Sequence, residues 1–276
     1  MNSVIDRFSL TNKVAIITGG AGLLGVQHAK AIAEQGGTPL LWDVNAKKSK
    51  VIAADISAHY QCVCEAFNVD ITSSETVEYA LLDILTRYDK VDILINNAAN
   101  DPKPSTDSTL SWARLENITT EMWQKDLNVG LLGAFNCSKS IGTHMASTGG
   151  GVILNIASDL GIIAPDQRIY SLEGVPRNEQ PVKPVTYSVV KHAIIGLTKY
   201  LATYWAEDNV RVNSLSPGGI YADQPDDFVE KLASLIPMGR MASTDEYQAA
   251  VLFLVSQASS YMTGSNLVID GGRTCW

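Results

Sequence analysis

Tyr187 and Lys191 stand four apart in "TYSVVKHAIIGLTKYLA", residues 186–202, a stretch whose apolar spacing predicts a helix with both side chains on one face. A lysine ammonium beside a phenol stabilises the phenolate, drawing a pKa of about 10 toward working pH, where a proton passes readily to or from a substrate hydroxyl. Tyr and Lys at this spacing also occur by chance on solvated helices. The pair gains weight from its company: "TGGAGLLG" (18–25), "NNAA" (96–99), Asn128, Ser158 and "SPGGI" (216–220).

These residues need a frame to bring them together, and the chain supplies an alternation. Short β-branched runs at 13–18, 38–43, 64–70, 91–97, 150–158, 209–216 and 266–270 are separated by helical stretches. Strands apolar on both faces predict a buried parallel sheet, so the expected architecture is a single-domain, Rossmann-type doubly wound α/β fold of seven strands with helices on both faces. Two connections, about 99–118 and 159–185, exceed ordinary loop lengths and leave from the carboxyl edge where such sheets bind ligands. They are expected to frame the substrate.

The glycine turn follows the first strand and opens a helix. Glycines there let backbone N–H groups approach a pyrophosphate, whose charge the helix dipole favours. Asp43 closes the second strand, eighteen residues past Gly25. A carboxylate in that place accepts bonds from a ribose diol and repels a 2′-phosphate, which favours NAD over NADP. Asp43 reads equally as a helix N-cap. Asp70 and Ile71 end the third strand where an adenine would lie, and Asp70 could likewise cap the helix that follows.

Taken together, the ordered motifs from "VAIITGGAGLLG" to "SSYMTGSNLVIDGG" identify the chain as resembling the short-chain dehydrogenase/reductase family along essentially its whole length. The resemblance implies that Thr18, Gly19, Gly22, Leu24 and Gly25 line the pyrophosphate, that Asp43 meets the adenosine ribose, and that Asp70 and Ile71 meet the adenine. It places Asn97 and Ala98 beside the cofactor and Pro217, Gly218 and Ile220 at the nicotinamide carboxamide. Ser158 would hold the substrate oxygen, Tyr187 would be the acid/base, Lys191 would bind the nicotinamide ribose while tuning Tyr187, and Asn128 would hold a water in a proton relay. A homodimer or homotetramer built on helices 119–147 and 187–207 is implied as well, with Tyr200, Tyr204 and Trp205 as anchors or as core aromatics.

The sequence also departs from the family's shorter branch. Its turn is T-G-x-x-G-x-x-G, "NNAA" replaces N-N-A-G, Tyr221 and Ala222 stand where a threonine often follows "PGGI", and Ser158 lies 29 positions before Tyr187 because a segment is inserted. The long connections mix Asp101, Lys103, Asp107, Trp112, Arg114, Arg168, Tyr170, Glu173 and Arg177, which suits a polar, anionic substrate better than an acyl chain or steroid. Arg168, Arg177 and Tyr170 are the candidate substrate contacts, although solvated loop residues would look the same. The turn and the insertion resemble family members of flagellin-modification and surface-polysaccharide pathways, including legionaminic-type sugars, so a nucleotide-activated sugar is the expected substrate.

Composition narrows the field of partners. A formal charge of −8 over 276 residues argues against nucleic acid or an anionic membrane as main partner. The N-terminal stretch has neither a signal core nor a spanning run, which predicts a cytoplasmic protein. Cys62, Cys64, Cys137 and Cys275 lack the spacing of a disulfide framework or a zinc site, so no metal is expected. Two competing readings stand beside the NAD-dependent oxidoreductase: a 3-oxoacyl carrier-protein or general ketone reductase, which would prefer NADPH, and a catalytically inactive dinucleotide-binding regulator.

Overall fold

A computed structural model describes residues 3–100 and 112–276; Asp101, Lys103 and Asp107 lie outside the described residues. Seven parallel strands form one sheet in the order β3-β2-β1-β4-β5-β6-β7. They are β1 (Val14–Thr18), β2 (Thr38–Asp43), β3 (Glu65–Asn68), β4 (Ile93–Asn96), β5 (Gly151–Ile156), β6 (Val210–Pro217) and β7 (Asn266–Ile269). The helices are α1 (Leu23–Glu34), α2 (Ala46–Tyr60), α3 (Ser74–Tyr88), α4 (Thr120–Leu127), α5 (Gly133–Ser147), α6 (Val185–Tyr204), α7 (Asp226–Ala233) and α8 (Gln248–Val255). This is the doubly wound architecture expected from the alternation. No described helix is long and apolar enough to cross a membrane.

Alternation within each strand feeds two cores. In β1, Val14 and Ile16 join the cluster under α3 and α5, whereas Ala15 and Ile17 join the one under α1 and α8. Each fully buried Ile or Leu contributes on the order of 1.5–3 kcal/mol, so a strand apolar on both faces is stable only between two helical layers.

The expected helix 119–147 is interrupted. A π-helical turn, Asn128–Leu132, separates α4 from α5, with the Gly133 N–H donating to the Asn128 carbonyl. Gly130 in this turn lies so close to α6 that a Cβ there would sit 2.5 Å from Val190 Cγ1. Trp205, proposed either as an interface anchor or as a core residue, is a core residue: it is buried with its ring against Gly142 of α5. Tyr200 and Tyr204 stack on each other at 5.9 Å and are exposed.

The two aspartates that could have been helix caps are not. Asn45 caps α2, its side chain accepting from the Lys48 N–H, and Ser73 caps α3 by accepting from the Thr76 N–H. Asp43 and Asp70 stand two and three residues too early to reach those N–H groups, and they bond elsewhere as described below.

On the inner face of α1, His28 is wholly buried. Burial drives its imidazole down to about 4 from the usual 6.5, against a smaller opposing pull from the Asn97 side chain. Because this native pKa lies below the unfolded one, the neutral ring's contribution is complete above about pH 6.5 and is lost as pH falls toward 4. Native stability should therefore drop by about 2 kcal/mol between pH 7 and pH 5 on account of this ring alone. Chemical denaturation of the wild type and His28→Leu at both pH values checks this, since the variant should show a shallower fall.

Candidate active site

The strand order reverses between β1 and β4, which pair directly, and their carboxyl ends open a crevice there. Its walls are held by one hydroxyl. The Thr18 side chain is buried and accepts from the N–H groups of both Asn97 and Ala98 at 3.0 Å. The Asn97 amide returns bonds to the Thr18 and Gly19 carbonyls at 3.0 and 3.1 Å.

The glycine turn is packed without spare room. Gly19 has φ +60°, a conformation that favours glycine, and a Cβ on it would lie 2.9 Å from Ala98 Cα. A Cβ on Gly25 would sit 2.2 Å from the Gly19 carbonyl oxygen, so the first turn of α1 rests directly on the loop. Gly22 is the N-cap of α1 and offers no side-chain cap. The first N–H groups of the helix are therefore left for an anion.

A cleft of about 440 Å³ runs from this turn to Tyr187. Gly19, Gly22, Leu24, Asp43, Asp70, Ile71, Asn97, Ala98, Ser158, Tyr187, Lys191, Pro217, Gly218 and Ile220 all line it. Thr18, Gly25 and Asn128 stand outside the lining. Thr18 is occupied behind the crevice wall, Gly25 supports the turn from below, and Val129 faces the cleft beside Asn128. Asp43 accepts from the Ala21 N–H at 3.0 Å through one oxygen and from the Asn45 N–H at 2.8 Å through the other. Asp70, exposed, holds the Thr72 N–H and hydroxyl at 2.9 and 2.7 Å. Among the described lining residues, Lys191 is the only cation. A nicotinamide dinucleotide fits this donor set: an uncapped helix N-terminus and a glycine cradle for the phosphates, a carboxylate for a ribose, and apolar Val69 and Ile71 for the adenine.

At the other end, Lys191 is 5% exposed and donates from Nζ to the Ile156 carbonyl at 2.8 Å. Its Nζ stands 5.7 Å from the Tyr187 ring centroid, and Lys183 Nζ stands 3.9 Å from the same centroid. Two ammonium groups thus stand over the phenol ring. Ser158 is buried at the end of β5; its hydroxyl donates to Asp159 Oδ1 at 2.8 Å and accepts from the Leu160 N–H. Burial raises the Asp159 carboxyl pKa, while the Ser158 bond opposes that shift.

Tyr187 and Ser158 also face a second cavity, of about 490 Å³, lined by Asp159, Asp166, Tyr170, Lys183, Gln224 and Arg273 among others. The inserted segment forms one wall. Gln180 ties its turns together through the Leu172 and Val175 carbonyls, and Tyr170 packs on Phe228 of α7 at 5.5 Å. Of the candidate substrate contacts, Tyr170 lines this cavity. The Arg168 guanidinium is 87% exposed and forks onto Asp166, and Arg177 is exposed, its carbonyl accepting from Arg114.

The sequence reading passed over Asp126, Asp159, Lys183, Gln224 and Arg273. Asp126 accepts from Asn100 and from Thr186, joining the β4 connection to the start of α6 behind Tyr187. No motif marks these residues; only adjacency to Ser158 could have flagged Asp159.

Comparison with known proteins follows from this geometry. A family model described as enoyl-(acyl carrier protein) reductase matches residues 21–274. An NAD-dependent glycerol dehydrogenase of Listeria innocua is 35% identical, the alignment covering 97% of this chain and 96% of that protein. A 3-oxoacyl-[acyl-carrier-protein] reductase of Chlamydia trachomatis is 30% identical over 95% and 98% of the two chains. Among solved structures, a gluconate 5-dehydrogenase from Burkholderia cenocepacia in complex with NADP and tartrate superposes with a TM-score of 0.86, at 26% identity, over 99% of this chain and 100% of that one. The resemblance to flagellin-modification and surface-polysaccharide members finds no counterpart in these relatives, which are named for glycerol, 3-oxoacyl-[acyl-carrier-protein] and gluconate. With the crevice, the Ser–Tyr–Lys cluster and these likenesses in agreement, the chain belongs to the short-chain dehydrogenase/reductase family, the NAD(P)-dependent oxidoreductases of alcohols and ketones.

Proposed function

We propose that this protein is an NAD-dependent dehydrogenase of a small polyhydroxylated alcohol, or reductase of the matching ketone. The observation that carries the substrate class is the cavity shared by Tyr187 and Ser158. Its polar lining, with Asp159, Tyr170 and Gln224 in it, offers hydrogen bonds on several sides to a ligand with hydroxyls on several carbons. The glycerol dehydrogenase relative supports the same class. NAD is favoured because Asp43 stands at the ribose end of a cleft with no cation there to receive a 2′-phosphate.

When bound, the nicotinamide supplies the hydride acceptor or donor. The chain's own groups do the rest. Ser158 donates to the substrate oxygen, exchanging that bond for the one it makes with Asp159. Tyr187 Oη takes the hydroxyl proton in oxidation and returns it in reduction. Lys191, anchored on the Ile156 carbonyl, and Lys183 favour the phenolate that accepts the proton. Asn128, at the π-turn, would hold a water that links Lys191 to solvent. Thr18 and Gly25 support the cradle, and Gly19, Gly22, Leu24, Asn97 and Ala98 would hold the dinucleotide. Asp70 and Ile71 receive the adenine, with Pro217, Gly218 and Ile220 at the nicotinamide.

A nucleotide-activated sugar, in surface glycan or flagellin sugar synthesis, is the second reading. The observation favouring it is an adjoining hollow of about 420 Å³, lined by Arg114, Gln167 and Lys183, which extends the room for a larger substrate. A homodimer or homotetramer in the cytoplasm fits either reading.

NADH absorbance, followed with NAD or NADP on alditols, nucleotide-activated sugars and 3-oxoacyl thioesters, decides among them. Turnover with NAD on short alditols is expected, and Tyr187→Phe should lower kcat by about 100-fold or more while NADH binding persists. Activity confined to a nucleotide sugar or to NADPH-driven acyl reduction would overturn the alditol reading, and dinucleotide binding without any turnover would make the protein a regulator. Asp43→Ala should narrow the ratio of kcat/KM for NAD over NADP by at least about tenfold.

A further inference from the structure

Among the described residues that line the cavity in front of Ser158 and Tyr187, Arg273 is the one cation the proposed chemistry leaves unused. It follows β7 on a turn held rigidly: Asp270 accepts from the Gly272 and Thr274 N–H groups at 2.9 and 2.8 Å, and the Arg273 N–H donates to the Asp270 carbonyl. Gly271 and Gly272, at φ +64° and +89°, pack against Ile236 and Pro237. The side chain is 8% exposed and lines the cavity in front of Ser158 and Tyr187. Its Nε is buried without a hydrogen-bond partner among the described residues.

A buried guanidinium is costly unless an acceptor meets it. The surrounding carboxylates are coupled to it electrostatically, but among the described residues none accepts a hydrogen bond from its guanidinium. Asp159 Oδ1 takes the Ser158 hydroxyl and the Leu160 N–H. Asp166 takes the Arg168 fork and the Arg168 N–H. Asp270 takes the two turn N–H groups. The guanidinium therefore lines a cavity next to the reacting groups with its Nε unpartnered among the described residues.

We infer that Arg273 is a specificity-determining residue that grips a carboxylate on the substrate, so that within the polyhydroxylated class acids are preferred over neutral polyols. Carboxylate geometry matches the guanidinium fork bidentately. Asp159 and Asp166 on the same cavity disfavour a dianionic phosphate more strongly than a monoanionic carboxylate. This inference deepens the proposed function and rests on it for the identity of the reacting alcohol.

The test measures binding to the full chain saturated with NADH, by calorimetry, so that no turnover is needed. D-Gluconate and D-glucitol differ at one end by carboxylate against hydroxymethyl, and D-glucitol 6-phosphate supplies the dianion. D-Gluconate should bind about 10- to 100-fold more tightly than D-glucitol, and Arg273→Met should bring the two together while leaving D-glucitol affinity, NADH affinity and the melting temperature near wild type. If Arg273→Met does not fold, Arg273→Lys serves instead: the charge stays, the bidentate fork is lost, and the ratio should fall below the wild-type value while staying above one. Equal affinities in the wild type, a ratio that survives the substitution, or tighter binding of the phosphate would overturn the inference. Failure of the protein to oxidise any polyhydroxy compound would count against the proposed function alone, since the binding ratio judges Arg273 by itself.

Discussion

The buried Thr18 hydroxyl is the bond on which the rest of the site depends. It accepts from two consecutive N–H groups at the end of β4 and so fixes how far the β1 and β4 loops stand apart. Asn97 closes the same junction from the other side. With those walls fixed, Gly19 lies against Ala98, and the first turn of α1 lies against Gly19 through Gly25. A helix N-terminus is a useful anion site only when its N–H groups aim at a defined point. Here the aim is set by backbone packing too close to admit a side chain.

Charge is arranged with similar economy. The cleft places Asp43 at one end and Lys191 at the other, and both are constrained by backbone bonds, to the Ala21 and Asn45 N–H groups and to the Ile156 carbonyl. Neither side chain needs to reorganise when a ligand arrives, which is the condition under which fixed charges act most strongly on a reaction. The Ser158 hydroxyl is held by Asp159 in the same spirit, although that bond must be exchanged for one to substrate. At the centre two ammonium groups stand over one phenol ring.

The insertion between Ser158 and Tyr187 shows how substrate choice is added to a shared frame. Its glutamines bond backbone carbonyls, its Ile169 joins Leu232, Ile236 and Met241 in a satellite core, and Lys231 of α7 donates to the Ser171 carbonyl. The segment is thereby docked on α7, and its polar side chains face the cavity or solvent according to that docking. Arg168 turned outward because Asp166, two residues earlier, offered it a fork on the surface.

The amino-acid sequence alone determined the sheet, the glycine turn, Asp43 at the end of β2 and the Tyr187–Lys191 pair. Each of these is a local pattern: strand periodicity, a strand–glycine–helix junction, a spacing of four on one helix. Tertiary structure alone decided that Thr18 and Gly25 brace the cradle from behind, that Asn45 and Ser73 cap the helices, and that a π-turn breaks 119–147 in two. It alone brought Lys183 to the Tyr187 ring and Arg273, 115 positions past Ser158, into the same cavity. The physical reason is common to all of them. Burial and the choice among hydrogen-bond partners depend on neighbours distant in the chain, and no spacing rule within one segment records which neighbour the fold will supply.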